Sequence, residues 1–131
     1  MEKLKTRTIS RQIDNKSPSD HFLRAISKTD ISRRSASLIT QLYIGHVPLN
    51  DYLKRFKKAD SARCPACGAA PETVRHFLLE CPIYAHKRWI LARRLSKRDK
   101  ELTLENILGD EEAFLSLSNY INASHRFARH I

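Results

Sequence analysis

Apolar residues recur along most of the chain at spacings of three and four, the period of a helix with one buried face. Ser17-Pro18-Ser19-Asp20 reads as a helix start, with Ser17 as cap, Pro18 in the first turn and Asp20 where a capping box places its acid. Phe22, Leu23 and Ile26 follow at helical spacing. Thr29 or Asp30 is placed to cap a second helix with Ile31, Leu38, Ile39 and Leu42 inward, and Gly45 supplies its stop. Asn50 caps a short third helix running through Leu53 and Phe56. Residues 59–71 read as a loop, and residues 72–80 as helix again, with Val74, Phe77 and Leu78 on one side. Pro82 breaks that helix and opens the next, which carries Ile83, Ile90, Leu91 and Leu95 inward. Thr103 caps a turn that ends at Gly109, and the last helix buries Phe114, Leu117 and Ile121. Residues 1–16 show no sustained period and read as a flexible or extended lead-in. Residues 17–131 read as one helical domain. The predicted fold class is mainly α.

Composition narrows this reading. With 131 residues, 41% hydrophobic and a mean hydropathy of −0.49, the chain has room for one thin core and contains no apolar run of membrane-spanning length. Three glycines and five prolines exclude a turn-rich β-sandwich. The net charge is +10, unevenly spread. Residues 1–60 carry 13 basic and 6 acidic side chains, residues 61–100 carry 9 and 3, and residues 101–131 carry 2 and 5. A basic centre beside an acidic end points to a polyanion as partner. No export signal opens the sequence, and three cysteines cannot all pair, so the reading is an intracellular, nuclear protein with no membrane association.

The strongest chemical signal is Cys64-Pro65-Ala66-Cys67, then His76, then Cys81, a C-x2-C-x8-H-x4-C spacing within residues 61–86. Zinc takes four soft or borderline donors in a tetrahedron, and two cysteines separated by two residues make one edge through a tight turn. Gly68 suits the reversal after Cys67. His76 and Cys81 are harder to reconcile, because five positions along an α-helix lie about 140° apart in rotation. Pro82 disfavours helical geometry at Cys81, which lets that residue swing back toward the histidine and cap the following helix. His86, four residues after Cys81, is the alternative fourth donor. Four protein donors leave no open position, so the predicted cofactor is one structural Zn2+.

The stretches Leu42–Phe56, Asp60–Gly68 and Glu72–Tyr84 together resemble the zinc-binding C-terminal tail of non-LTR retrotransposon polyproteins, particularly fungal ones. The resemblance spans about residues 18–127 and rests on a Gly-His turn, Cys-x2-Cys, Glu-Thr-x-x-His and Cys-Pro. It implies Cys64, Cys67, His76 and Cys81 as ligands, and a role in handling element RNA or target DNA beside a reverse transcriptase. The polymerase and ribonuclease H that precede this tail in relatives are not in this sequence. Leu42-Tyr43-Ile44 also stands where many relatives have Leu-Arg-Thr.

No paired acids for two-metal chemistry, phosphate loop or nucleophile elbow is present, so the chain reads as a non-enzyme. The predicted phosphate contacts are Lys54, Arg55, Lys57, Lys58, Arg63, Arg75, Lys87, Arg88, Arg93 and Arg94. Lys97 and Arg98 share the outward side of their helix with the last four. Tyr52, Phe56, Tyr84 and Trp89 are candidate stacking rings, although helical spacing places Phe56 and Trp89 in the core. His46 reads as structural. The alternatives are a zinc-stabilised protein-interaction module or a retroelement remnant.

Overall fold

A computed structural model describes residues 18–127 of the protein. The lead-in over residues 1–16, the Ser17 cap and His130 lie outside the described residues. The helices are α1 (Asp20–Lys28), α2 (Arg33–Ile44), α3 (Asn50–Arg55), α4 (Ala85–Ser96), α5 (Leu104–Leu108) and α6 (Phe114–Ser124). A π-turn at His76–Glu80 and 3-10 turns at Pro82–Tyr84 and Glu111–Ala113 join them. Among the described residues there is no strand, only an isolated antiparallel bridge between Arg63 and Pro71. The mainly α expectation holds.

Helix boundaries follow hydroxyl caps. Ser19 accepts from the Phe22 amide at 3.0 Å, and Ser32 from the Ser35 amide at 3.0 Å. The second helix therefore begins later than Thr29 or Asp30 predicts. Thr29 instead ends α1, its hydroxyl donating to the Ala25 carbonyl. Gly45 closes α2 at φ 80, a left-handed geometry that a side chain would strain. Thr103 caps α5 as expected, and Asp110 Oδ1 caps the turn before α6.

α6 is the organising element, packed along α4 on one side and α2 on the other. Phe114, Leu117 and Ile121 face inward with Ile39, Leu42, Ile107 and Leu108. Phe77 sits at the join with the loop region, edge-on to Tyr84 (5.4 Å), Tyr120 (5.4 Å) and Phe127 (5.7 Å). The Tyr120 hydroxyl donates to the Phe77 carbonyl at 2.5 Å, and burial pushes its pKa up to about 12, keeping it a donor.

The apolar pattern misplaces several residues. Ile83 and Ile90 are exposed, and α4 buries Leu91 and Leu95 behind Tyr84. Phe56 and Trp89 also stand outside the core, at 55% and 53% exposure. Tyr84 is buried and offers no free ring face.

Candidate metal centre

The loop preceding the π-turn is a tight knuckle. The Cys64 amide donates to the Ala70 carbonyl at 2.7 Å, and the Gly68 amide returns to the Cys64 carbonyl at 2.8 Å. Gly68 takes φ 68, as the reversal requires, and a Cβ there would meet nothing within 4 Å. The Cys67 thiol accepts from the Ala69 amide at 3.5 Å, which lowers its pKa. Burial pushes the Cys64 thiol up to about 11 in the metal-free chain, with the neighbouring Cys81 thiol adding to the rise.

The second pair of donors comes from a widened helical turn. Thr73 caps the segment, its hydroxyl accepting from the His76 amide at 2.9 Å. After Arg75 the backbone opens from α to π spacing, and the Cys81 amide donates to the His76 carbonyl at 2.8 Å. A bond from residue i+5 back to i means five residues close one wide turn, so Cys81 arrives above His76 rather than across the helix from it. Pro82 fixes the exit: Cys81 is extended, at φ −64 and ψ 121, and the proline has no amide to extend the ladder. The Cys81 thiol makes no capping bond to the following turn. It faces Cys64 instead.

The four donor atoms of Cys64, Cys67, His76 and Cys81 lie within 4.8 Å of one another. Cys64 Sγ and Cys81 Sγ are 3.9 Å apart, and Cys67 Sγ is 3.4 Å from His76 Nε2. A zinc tetrahedron with bonds of about 2.3 Å to sulfur and about 2.0 Å to nitrogen has edges of about 3.8 and 3.5 Å. The donor set has the chemistry and the size for one zinc ion. Three of the four ligands are buried, and all four corners are protein atoms, so the ion serves structure. His86 is exposed against Trp89, outside the set.

Two supports hold the ligands in place. His76 Nδ1 lies 3.9 Å from Glu80 Oε1, so a carboxylate faces the ring nitrogen that does not bind metal, and Arg75 Nε holds Glu80 at 3.1 Å. Arg88 Nη2 donates to the Cys81 carbonyl at 2.7 Å, and its Nη1 is buried without a partner. Zn2+ with three thiolates and a neutral imidazole carries one net negative charge. The guanidinium attached to the backbone of Cys81 offsets it.

Residues 5–89, well over half of the chain, match the family described as zinc-binding in reverse transcriptase. The chain belongs to that family. No curated protein and no solved structure matches it. In this reverse-transcriptase zinc-binding domain the metal is one structural zinc held by the Cys3His cluster.

Glu72 and Arg126 form a clamp that spacing did not reveal. Glu72 is fully buried and takes Arg126 Nε at 2.6 Å and Nη2 at 2.8 Å, a two-point contact. Its Oε1 also accepts the Asn50 amide at 2.7 Å, so this distant carboxylate, not the Asn50 side chain, caps α3. Asn50 instead sends its side-chain amide to the Arg63 carbonyl at 2.8 Å. The backbone of Glu72 pairs with Ala62 and Asp51. One acid thus ties the knuckle, α3 and the end of α6 together. Its signal in the sequence was the Glu of Glu-Thr-x-x-His, read there as the start of a helix.

The predicted basic contacts divide by environment. Lys54, Arg55, Lys57, Lys58, Arg63, Arg75, Arg93 and Arg94 are exposed, and Lys87 is half-buried. Arg55 pairs with Asp51 (3.8 Å), Arg63 donates to the Gly68 carbonyl (2.8 Å), and Arg93 lies 5.0 Å over the Trp89 ring. Arg88 turns inward, contrary to the outward position predicted for it. Arg98 pairs with Glu112. His46 is exposed with its ring 5.4 Å from Tyr52, which in turn meets Phe56 at 4.7 Å. Among the described residues no helix is long and apolar enough to cross a membrane.

Proposed function

We propose that this domain binds nucleic acid for a reverse transcriptase, handling element RNA or target DNA without catalysis of its own. The observation that carries the reading is the distribution of exposed cations on the elements around the Cys3His cluster. Lys54, Lys57 and Lys58 stand at the end of α3, Arg63 and Arg75 flank the knuckle, and Arg93 and Arg94 stand on α4. Rigid elements present these charges at low entropic cost, the condition for binding a phosphate backbone by position rather than by base sequence. Arg88 is left out of the contact set because it is engaged with Cys81. The site of action that this role implies is the nucleus.

The test is a salt titration of the zinc-loaded chain on labelled RNA and DNA, read by fluorescence anisotropy. The expected plot of log affinity against log[salt] has a slope of about −3.5 to −5.4, from five or six neutralised phosphates. A flat plot, or no affinity at low salt, would overturn the reading.

A further inference from the structure

The outer side of α4 combines charge with exposed aromatic surface. His86, Trp89, Arg93 and Lys97 follow one another at helical spacings of three and four, which places them along one side. The His86 and Trp89 rings are nearly parallel, 17° apart in plane with centroids 6.1 Å apart, and the Arg93 guanidinium lies over the indole. Imidazole, indole and guanidinium each offer a flat face of the kind on which nucleobases stack. Beside them a groove of about 450 Å³ runs between α4 and α6, lined by Ile90, Arg93, Arg94, Lys97, Arg98 and Ser116. Arg98 is occupied by Glu112, whereas neither Arg94 nor Lys97 has an ion-pair partner among the described residues.

We infer that this side of α4 binds single-stranded nucleic acid, an unpaired base taking the place of the Arg93 guanidinium on the Trp89 face while Arg94 and Lys97 hold the flanking phosphates. The inference deepens the nucleic-acid reading above and rests on it. Two observations select the strand form. A helix that reads duplex DNA carries polar side chains to the base edges, whereas the middle of α4 presents Trp89 and Ile90. An exposed indole also has no duplex counterpart to stack on, because base faces are hidden inside a double helix and free in a single strand. The charge of the groove fits phosphate.

Trp89 is the only tryptophan in the sequence, so its emission reports this site alone. The zinc-loaded full chain is titrated at low salt with short oligouridylate, oligothymidylate and a duplex of the same length. Expected are quenching by both single strands and none by the duplex. Affinity for the single strands should fall about tenfold in Trp89→Ala and stay near the parent value in Trp89→Phe. Arg94→Ser with Lys97→Ser should flatten the single-strand salt slope by about 1.4. Circular dichroism of the variants verifies that the exposed substitutions leave the helices intact. Binding with unmoved emission and a Trp89→Ala affinity equal to the parent's would overturn the stacking site while leaving the nucleic-acid reading in place. Equal quenching by duplex would overturn the strand preference. Absence of binding to every probe would overturn both and leave this side of α4 to a protein partner.

Discussion

The knuckle and the helical layer are ordered by different physics. In the layer formed by α2, α4, α5 and α6, side chains such as Ile39, Leu42, Ile107 and Leu117 are fully buried, and order comes from removing apolar surface from water. In the knuckle, Ser61, Arg63, Pro65, Gly68, Ala69 and Pro71 are exposed, and Cys64 is its only buried residue. Such a loop has too little apolar surface to offset its own chain entropy. It depends on coordination at one end and on the Glu72–Arg126 clamp at the other. Phe77 and Leu78, both fully buried next to a ligand, connect the two regions. Metal and core are therefore distinct sources of order that share one hinge point.

Removing the metal should separate them most sharply. A structural zinc contributes on the order of 10 kcal/mol, comparable to the whole stability of a small domain. Chelation, or Cys81→Ser or His76→Ala, should abolish cooperative melting, and elemental analysis should find one zinc per parent chain and none in the variants. Metal uptake should also be pH-dependent. With its pKa at about 11 without metal, Cys64 is a neutral thiol at pH 7 and must lose its proton to bind, so affinity falls as pH falls. Calorimetry in buffers of different ionisation heat should show proton release on binding.

Glu72→Ala should cost about 3–5 kcal/mol in urea unfolding, because it strands the buried Arg126 and uncaps α3. Arg126→Met tests the same pair from its other member and should cost less, because Glu72 keeps the Asn50 amide as a partner. Leu117→Ala addresses the layer alone. It should cost about 2–4 kcal/mol while zinc stoichiometry stays at one, and loss of metal in that variant would show that the two regions are not separable. Gly68→Ala should have the smallest effect, about 1 kcal/mol, since φ 68 strains a side chain but nothing blocks the Cβ. Its signature should be weaker zinc retention with a nearly unchanged helix signal.

The convergence of Cys64, Cys67, His76 and Cys81 was readable because cysteine, histidine and their spacing are local, and the stop at Gly45 and the cap at Thr103 were readable for the same reason. The geometry joining His76 to Cys81 was not. Sequence spacing located the conflict at Pro82, and the backbone resolved it one turn earlier by widening from α to π. Glu72 and Arg126 are separated by 54 positions, and nothing local distinguishes a clamped acid from a solvated one. Trp89 and Phe56 fall at core-like spacing, yet α4 and α3 are covered on only one side. Arg88 shows the converse: a charge at an outward-looking position turns inward to the carbonyl of a ligand residue, Cys81.

The wide turn also acts as a ruler. Deleting one residue between His76 and Cys81 would let ordinary α geometry place the two donors one above the other, so coordination could survive. The chain beyond Cys81 would then leave at a rotated angle, carrying Arg88 away from its carbonyl and Leu91 and Leu95 out of their seats on α6. The length of that turn thus sets the docking angle of everything downstream.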